Sequence, residues 1–342
     1  MPSVAIAILN YNGLHLLQKY LPIVAAHHPY ADLYIIDNHS SDQSIPWIQQ
    51  HFPHIHLIQH PQNFGFAKGY NEGLQHIHTE YYVLLNNDVR TTEDWLSPIL
   101  TFMEQNPDVA VCMPKLLDDK NTEYFEYAGA CGGFIDILGY PFCRGRIFSS
   151  VEKDTQQYED PREIFWASGA CMTIKSKIFW EAGGFDNDFF AHMEEIDLCW
   201  RIKNLGYKIF IIPQSKVYHL GGSTLNKINP HKTYLNFRNS LLTLLKNHPP
   251  QKLFMKILLR LILDAIAGIK FLLEGHWKHT LSVIQAHLYV YKNGKKFWKK
   301  RQLFETQHRV QYTLSPVLRK SMVWQYYLSG KKSFKDLSQW LL

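Results

Sequence analysis

Between residues 4 and 88, short apolar runs alternate with stretches of helical spacing, and the runs close on polar residues. Residues 4–9 (VAIAIL) contain no polar side chain, the pattern of a strand buried on both faces of a parallel sheet. Asn10, Asn12 and Gly13 break that run. Leu14, Leu17, Leu21 and Val24 then recur at helical spacing and predict a helix over Leu14–Ala26. Residues 33–36 form a second strand that ends in Asp37-Asn38, and residues 40–50 a second helix. Ser40 or Ser41 is its expected N-cap, with Asp42 in the first turn. A strand over 55–58, a helix over 69–78 and a strand over 81–85 follow, the last closing on Asn86-Asn87-Asp88. This β-α-β-α-β-α-β order predicts a doubly wound α/β domain with its ligand at the carboxyl ends of the strands.

The middle of the chain is less regular. Residues 120–163 read as loops and short strands, and residues 167–174 as a strand or bend leading into a helix over 176–182. An acidic helix near 194–205, a buried strand over 208–212 and a short extended piece over 217–219 follow. From about residue 234 the chain turns helical. Leu253–Leu273 is long enough to span a bilayer, yet Lys256, Arg260 and Asp264 recur every fourth residue on one face, and Lys270 adds a further charge. Near the centre of the hydrocarbon each would cost about 2.5–3.5 kcal/mol, so the spacing predicts an amphipathic helix in the interface or packed on a partner.

Charge divides the chain in the same place. Residues 241–342 hold 18 Lys or Arg against four acids, a balance of +14, whereas residues 1–240 balance at −8. An acidic body with a basic tail suggests chemistry in the first part and attraction to an anionic surface in the second. The five cysteines are an odd set without CxxC spacing, which indicates neither a disulfide framework nor a zinc knuckle. Met1-Pro2-Ser3 lacks a basic signal region, and a cytoplasmic protein is expected. His51, His54, His56 and His60, with the His76/His78 pair, read as surface imidazoles rather than a zinc site.

Three carboxylate clusters have the chemistry of group transfer: Asp37, Asp88 and Glu194-Glu195-Ile196-Asp197. A carboxylate after the first βα unit can hold a ribose or base, one after the fourth strand a divalent ion, and one in the third cluster can take a proton from a hydroxyl. Each also has a plainer reading, as turn chemistry for the two aspartates and as a solvated helix face for the glutamates. The loop Asn63-Phe64-Gly65-Phe66-Ala67-Lys68-Gly69 lacks the GxGxxG order of a dinucleotide site, but its small residues allow close backbone approach to a ligand.

Taken in order, AIAILNYNG (5–13), IDNHSSD (36–42), NFGFAKGYNEG (63–73), LLNNDV (84–89), WASGACM (166–172), GGFD (183–186), EEIDLCWR (194–201) and VYHLGGS (217–223) resemble the family 2 glycosyltransferases. These are inverting enzymes of the GT-A fold, and the likeness is to their rhamnosyltransferase-like branch. The resemblance covers roughly residues 3–240 and implies a Rossmann-like, doubly wound mixed sheet over 1–240; beyond it, the charge and spacing predict a basic amphipathic α-helical region over 241–342, for a membrane surface or for dimerisation. It also implies transfer of a sugar, dTDP-rhamnose favoured, from a nucleoside-diphosphate sugar to a hydroxyl of a growing, lipid-linked or oligosaccharide, cell-surface glycan. Carried over by residue, Asn10, Asn12, Asp37, Asn63, Lys68, Asn87 and Asp88 face the donor. Asp88 and His219 hold Mg²⁺ or Mn²⁺. Glu195 is the base, with Glu194 in reserve, and Trp166, Gly169 and Asp197 lie on the acceptor side. Two departures stand out. Asn86-Asn87-Asp88 has one carboxylate where many relatives have two, and Glu195 replaces the commoner Asp.

The tail adds Lys292, Lys295, Lys296, Lys299, Lys300 and Arg301 around Phe297 and Trp298, a mixture suited to anionic headgroups. It predicts a peripheral protein on the inner face of the cytoplasmic membrane, or a homodimer through the C-terminal helices, and shows no nucleic-acid recognition motif. Two other readings stand beside the transferase. One is a catalytically weak or inactive scaffold that binds membranes. The other is a sugar nucleotidyltransferase, which would want a Gly- and Arg-rich loop where Asn10-Tyr11-Asn12-Gly13 stands.

Overall fold

The computed structural model describes residues 2–27, 31–221, 229–312 and 314–341. Gly222 and Ser223 of the VYHLGGS motif lie outside the described residues. The first half follows the expected alternation: β1 (Val4–Asn10), α1 (Leu14–Ala26), β2 (Asp32–Asp37), α2 (Ser44–His51), β3 (His56–Gln59), α3 (Gly65–Leu74) and β4 (Tyr81–Asn86). These four strands lie parallel in the order β3-β2-β1-β4, with Asn10 opposite Asp37 and Leu9 opposite Asn86. Val4–Ile8 and Tyr81–Leu85 are buried throughout, which is why those runs are hydrophobic, the Tyr82 hydroxyl donating to the Ile77 carbonyl at 2.8 Å. Three sequence-derived details differ. Ser40 and Ser41 do not cap α2; they bond to Asp37 and Asn12, and Asp42 accepts the amides of Leu14 and Ser44. Helix α3 starts four residues earlier than expected, at Gly65, which has φ +75° and where a Cβ would be 2.5 Å from the Phe190 ring. His60 is buried, with Nε2 2.9 Å from the Gly69 carbonyl.

After β4 come β5 (Val89–Thr91), α4 (Ser97–Gln105) and β6 (Val109–Asp118). The irregular stretch contains four short strands, β7 (Gly133–Asp136), β8 (Pro141–Cys143), β9 (Arg146–Ile147) and β10 (Ser150–Val151), then β11 (Arg162–Glu163). Next are β12 (Cys171–Lys175), α5 (Ser176–Glu181), α6 (Glu194–Asn204) and β13 (Lys208–His219). The main sheet is mixed: β12 enters antiparallel to β4 and to β6, and β13 lies parallel to β6. The two pieces expected over 208–212 and 217–219 are one strand, irregular between Ile212 and Lys216.

The C-terminal part comprises α7 (Pro230–Asn247), α8 (Leu253–Leu273), α9 (Trp277–Gln307), β14 (Val317–Leu318) and α10 (Met322–Tyr327). Strand β14 pairs with β7, so the end of the chain completes the small second sheet. Helix α8 is docked by its charged stripe. Arg260 and Asp264 are each 1% exposed. Arg260 donates to the Leu138 carbonyl (3.1 Å) and Ser240 Oγ (2.8 Å) and lies 3.8 Å from the Tyr140 ring centroid. Asp264 accepts from Tyr140 Oη (3.1 Å) and lies 3.3 Å from His287 Nε2. The face carrying Arg260 and Asp264 is therefore turned to the protein, where both find partners, while Lys270 stays exposed. Among the described residues no helix is long and apolar enough to cross a membrane.

Half of the basic cluster on α9 is likewise used internally. Lys296 and Lys300 pair with Asp188 (2.7 and 2.6 Å), Phe297 is in the core, and Arg301 is buried against the carbonyls of Leu245 and His248. Lys292, Lys295 and Lys299 stay exposed.

Candidate active site

The parallel strands β1, β2 and β4 end together, and their terminal polar residues are bonded into one web. Asn10 Nδ2 donates to Asp37 Oδ1 (3.2 Å), and Asn87 Nδ2 donates to Asn10 Oδ1 (3.0 Å). Asp37 is fully buried, and its carboxylate also accepts the Ser40 hydroxyl (2.6 Å) and amide (2.8 Å). Asn12, at φ +48°, accepts the Ser41 amide at 2.7 Å. Asn63 Oδ1 accepts from Gly65 N (2.8 Å) and Asn38 Nδ2 (3.0 Å), tying the 63–66 loop to the end of β2. Lys68 Nζ sits 4.2 Å from the Phe64 ring centroid. The expected donor residues thus frame one mouth, and Asp37 acts there as the support of the loop.

Asp88 and His219 are brought together by strand pairing. Val89 of β5 lies opposite His219 of β13, and the Leu220 amide donates to the Asp88 carbonyl at 3.0 Å. His219 Nε2 is 3.1 Å from Asp88 Oδ1, and Nδ1 is 3.3 Å from Glu126 Oε1. Burial alone would lower the imidazole pKa, but the carboxylates of Glu126 and Asp88 on either side raise it to about 10. Glu126 has no counterpart in the sequence reading; it lies in the irregular 120–163 stretch, where no spacing signals it. The pair would fit a divalent cation that displaces the Nε2 proton: a carboxylate oxygen and an imidazole nitrogen face each other, and a second carboxylate lies 3.3 Å from the ring's other nitrogen. Among the described residues no group of three His, Cys, Asp or Glu could hold a metal ion.

The third cluster opens α6. Met193 precedes it at φ +72°, and Phe190 and His192 also have left-handed backbones (+65° and +68°), each a strain of about 1–3 kcal/mol that surrounding bonds must hold. They do so from two sides. The Phe190 carbonyl accepts from Phe66 N at 2.8 Å. From α7, Asn239 Nδ2 reaches the carbonyls of Phe189, Ala191 and His192 (3.1, 3.0 and 2.7 Å), and Arg238 reaches those of Asp188 and Phe189. Neither Arg238 nor Asn239 belongs to a sequence motif. The turn aims three polar atoms inward: His192 Nε2, Glu194 Oε2 and Glu195 Oε2 are buried without a hydrogen-bond partner. Burial raises the Glu195 pKa to about 7, against the pull of backbone amides at the helix start. Burial, with Glu195 and Asp197 adding to it, holds the Glu194 carboxyl well above the ordinary range.

Gly169 belongs to this side: a Cβ there would lie 3.9 Å from Glu195 Cβ and 3.3 Å from the Phe66 ring. Asn86 N donates to the next carbonyl, Ala170 O, at 3.0 Å, so the Glu195 side adjoins the end of β4. Two expected acceptor-side residues are placed elsewhere. The Trp166 ring is buried against Gly133 and donates Nε1 to the Phe134 carbonyl (2.9 Å), leaving no face for a sugar. Asp197 is fully buried and bonded to Arg201 (2.8 Å), Lys246 (2.8 Å) and Asn247 (2.7 Å), so it positions α6.

A mixed sheet whose parallel strands end in one polar web, with an acidic helix beside it, has the architecture of a GT-A fold. The Glycosyl transferase family 2 signature matches residues 3–183, and the chain belongs to that family of glycosyltransferases. It is 21% identical over 229 residues to the N-acetylglucosaminyl-diphospho-decaprenol L-rhamnosyltransferase of Mycobacterium tuberculosis, covering 63% of this chain and 74% of that one. To the dTDP-rhamnosyl transferase RfbF of Shigella flexneri it is 23% identical over 245 residues, covering 67% and 77%. Among solved structures, the mannosyltransferase PcManGT of Pyrobaculum calidifontis, in complex with GDP-Man and Mn²⁺, superposes at TM-score 0.52 with 15% identity over 88% of each chain.

Proposed function

We propose that this glycosyltransferase moves a sugar, dTDP-rhamnose being the favoured donor, to a hydroxyl of a lipid-linked glycan with inversion at the anomeric carbon. The observation that carries this reading is the pairing of Asp88 with His219 just past the carboxyl end of β4, with Glu194 and Glu195 each keeping one buried, unpartnered oxygen at the start of α6. The names of the two rhamnosyltransferase relatives support the donor, and the diphospho-decaprenol in one of them supports the lipid. An acceptor of that kind places the enzyme on the inner face of the cytoplasmic membrane as a peripheral protein.

The nucleoside sits over the Asn10–Asp37–Ser40 web, with Asn12, Asn63, Lys68 and Asn87 around it. Asp88 and His219 would hold Mg²⁺ or Mn²⁺, whose charge would offset that of the departing diphosphate. Glu195 takes the proton of the acceptor hydroxyl as its oxygen attacks the anomeric carbon; the bond to the diphosphate breaks on the opposite face. A carboxyl near pKa 7 suits this task, since it is half ionised at neutral pH and basic enough to accept the proton. Glu194, held more strongly in its protonated form, is the poorer base. Gly169 leaves room beside Glu195 for the acceptor.

The test is nucleoside diphosphate release across dTDP-, UDP- and GDP-sugars with Mg²⁺ or Mn²⁺, beside Asp88→Ala and Glu195→Gln. Release from dTDP-rhamnose that both variants lose supports the reading. Tight lipid binding without donor binding by calorimetry would replace it with the scaffold.

A further inference from the structure

Helix α8 is turned inside out relative to an ordinary surface helix. With Arg260 and Asp264 inward, its apolar stripe of Phe254, Leu258, Ile262, Ile266, Ile269 and Leu273 faces outward along the whole helix; Phe254 is 80% exposed and Leu273 83%. No charged residue interrupts that stripe. A soluble monomer has no reason to present such a surface. It continues onto α9, where Leu281, Ile284, Leu288 and Tyr291 recur at heptad spacing and are all exposed. The two helices are held side by side, Thr280 Oγ1 donating to the Gly268 carbonyl at 2.8 Å.

The same face of α9 then changes character. Lys292, Lys295 and Lys299 follow in register with the apolar residues, beside Trp298, and they are the lysines of that cluster not drawn into the Asp186–Asp188 pairs. At the far end of α8, Lys270 Nζ lies 5.4 Å from the Tyr327 ring centroid, which brings exposed Trp324 and Leu328 near the same patch. Aromatic and lysine residues thus border an uncharged centre.

We propose that α8 and the first half of α9 form an insertion face for an anionic phospholipid bilayer, with Lys292, Lys295 and Lys299 in the headgroup layer. The helices lie in the plane of the surface with their apolar stripes in the acyl boundary. Charge selects this occupant over a second copy of the chain, because a self-complementary contact across this face would bring the exposed Lys292, Lys295 and Lys299 of one copy towards those of the other, with no acidic residue in the apolar stripes to meet them. The inference deepens the membrane-surface part of the proposed function and holds whichever sugar is transferred.

The experiment is co-sedimentation of the full chain with phosphatidylcholine vesicles, with and without phosphatidylglycerol, at low and moderate salt. Wild type should pellet with the phosphatidylglycerol vesicles and be released by salt. Lys292→Gln/Lys295→Gln/Lys299→Gln should bind them about a hundredfold more weakly. Ile262→Asp/Ile266→Asp should stay in the supernatant while keeping its melting temperature and its donor hydrolysis, which separates this inference from the catalytic one. Wild type remaining in the supernatant with phosphatidylglycerol vesicles would overturn it. So would a dimer by light scattering that Ile262→Asp dissociates, which would assign the face to a second copy.

Discussion

Glu195 and Asp197 stand two residues apart in the first turn of α6, Asp197 fully buried and Glu195 half-buried with one oxygen shut off from solvent, and their carboxyls have moved in opposite directions. Asp197 is surrounded by Lys246, Arg201 and Asn247, whose charge and bonds overcome burial and lower its pKa. Glu195 faces the mouth with one oxygen unpartnered, and burial wins. The lesson is that an acidic run divides its labour by what lies opposite each side chain. The cations of α7 and α6 make one carboxylate structural and leave the other available for a proton.

The largest expected break of this contrast is Glu195→Gln, which should lower turnover by about 10²–10⁴-fold while donor binding by calorimetry persists. In wild type, kcat/KM should rise with pH through about 7 and level above it, as the base loses its proton. Stability should run the other way. An unfolded glutamate titrates near 4.3, so the folded chain binds the extra proton from there to about 7 and loses stability as pH rises through that window. The Gln variant, which cannot ionise, should therefore melt higher than wild type at pH 8.

Lys246→Met attacks the other carboxylate. It leaves Asp197 and Asp186 short of a buried partner, and thermal unfolding should show a loss of about 3–5 kcal/mol. Because Asp197 has a lowered pKa, wild type should lose the stability it confers only as pH falls below the ordinary aspartate range; the variant should show less of that acid loss. A smaller effect is expected at the third carboxylate. Glu126→Gln should weaken Mn²⁺ binding in titration calorimetry by about 10–100-fold, since the ring of His219 loses its charged support.

The parallel half of the fold is legible in the chain because the interiors of β1, β2 and β4 are hydrophobic runs that close on polar residues and because helix α1 has a regular apolar spacing. Helix α3 begins ahead of its expected start because its glycines, poor helix formers, are required by contact: a Cβ at Gly73 would lie 2.5 Å from Ile36. Strands β7 to β10, of two to four residues each, are too short to set a period, and β14 finds its partner β7 across most of the chain. At the site, Asp88, His219 and the glutamates stand in motifs that can be read. Glu126, Arg238 and Asn239 do not, since their roles arise from contacts between distant segments. The inward turn of α8 was equally hidden: periodicity reveals two faces but not which of them finds partners.

The bonds from α7 to the turn ahead of α6 bear on how such enzymes can be recombined. Helix α7 crosses residue 240 without interruption, and beyond that residue lie Lys246 and Asn247, which neutralise and orient Asp197. A fragment ending at 240 would keep Glu195 and discard part of the brace that fixes the helix beneath it. A chimaera that borrows another enzyme's surface-binding helices should therefore splice after Asn247, in the short connection before α8, and inherit α7 with the catalytic half.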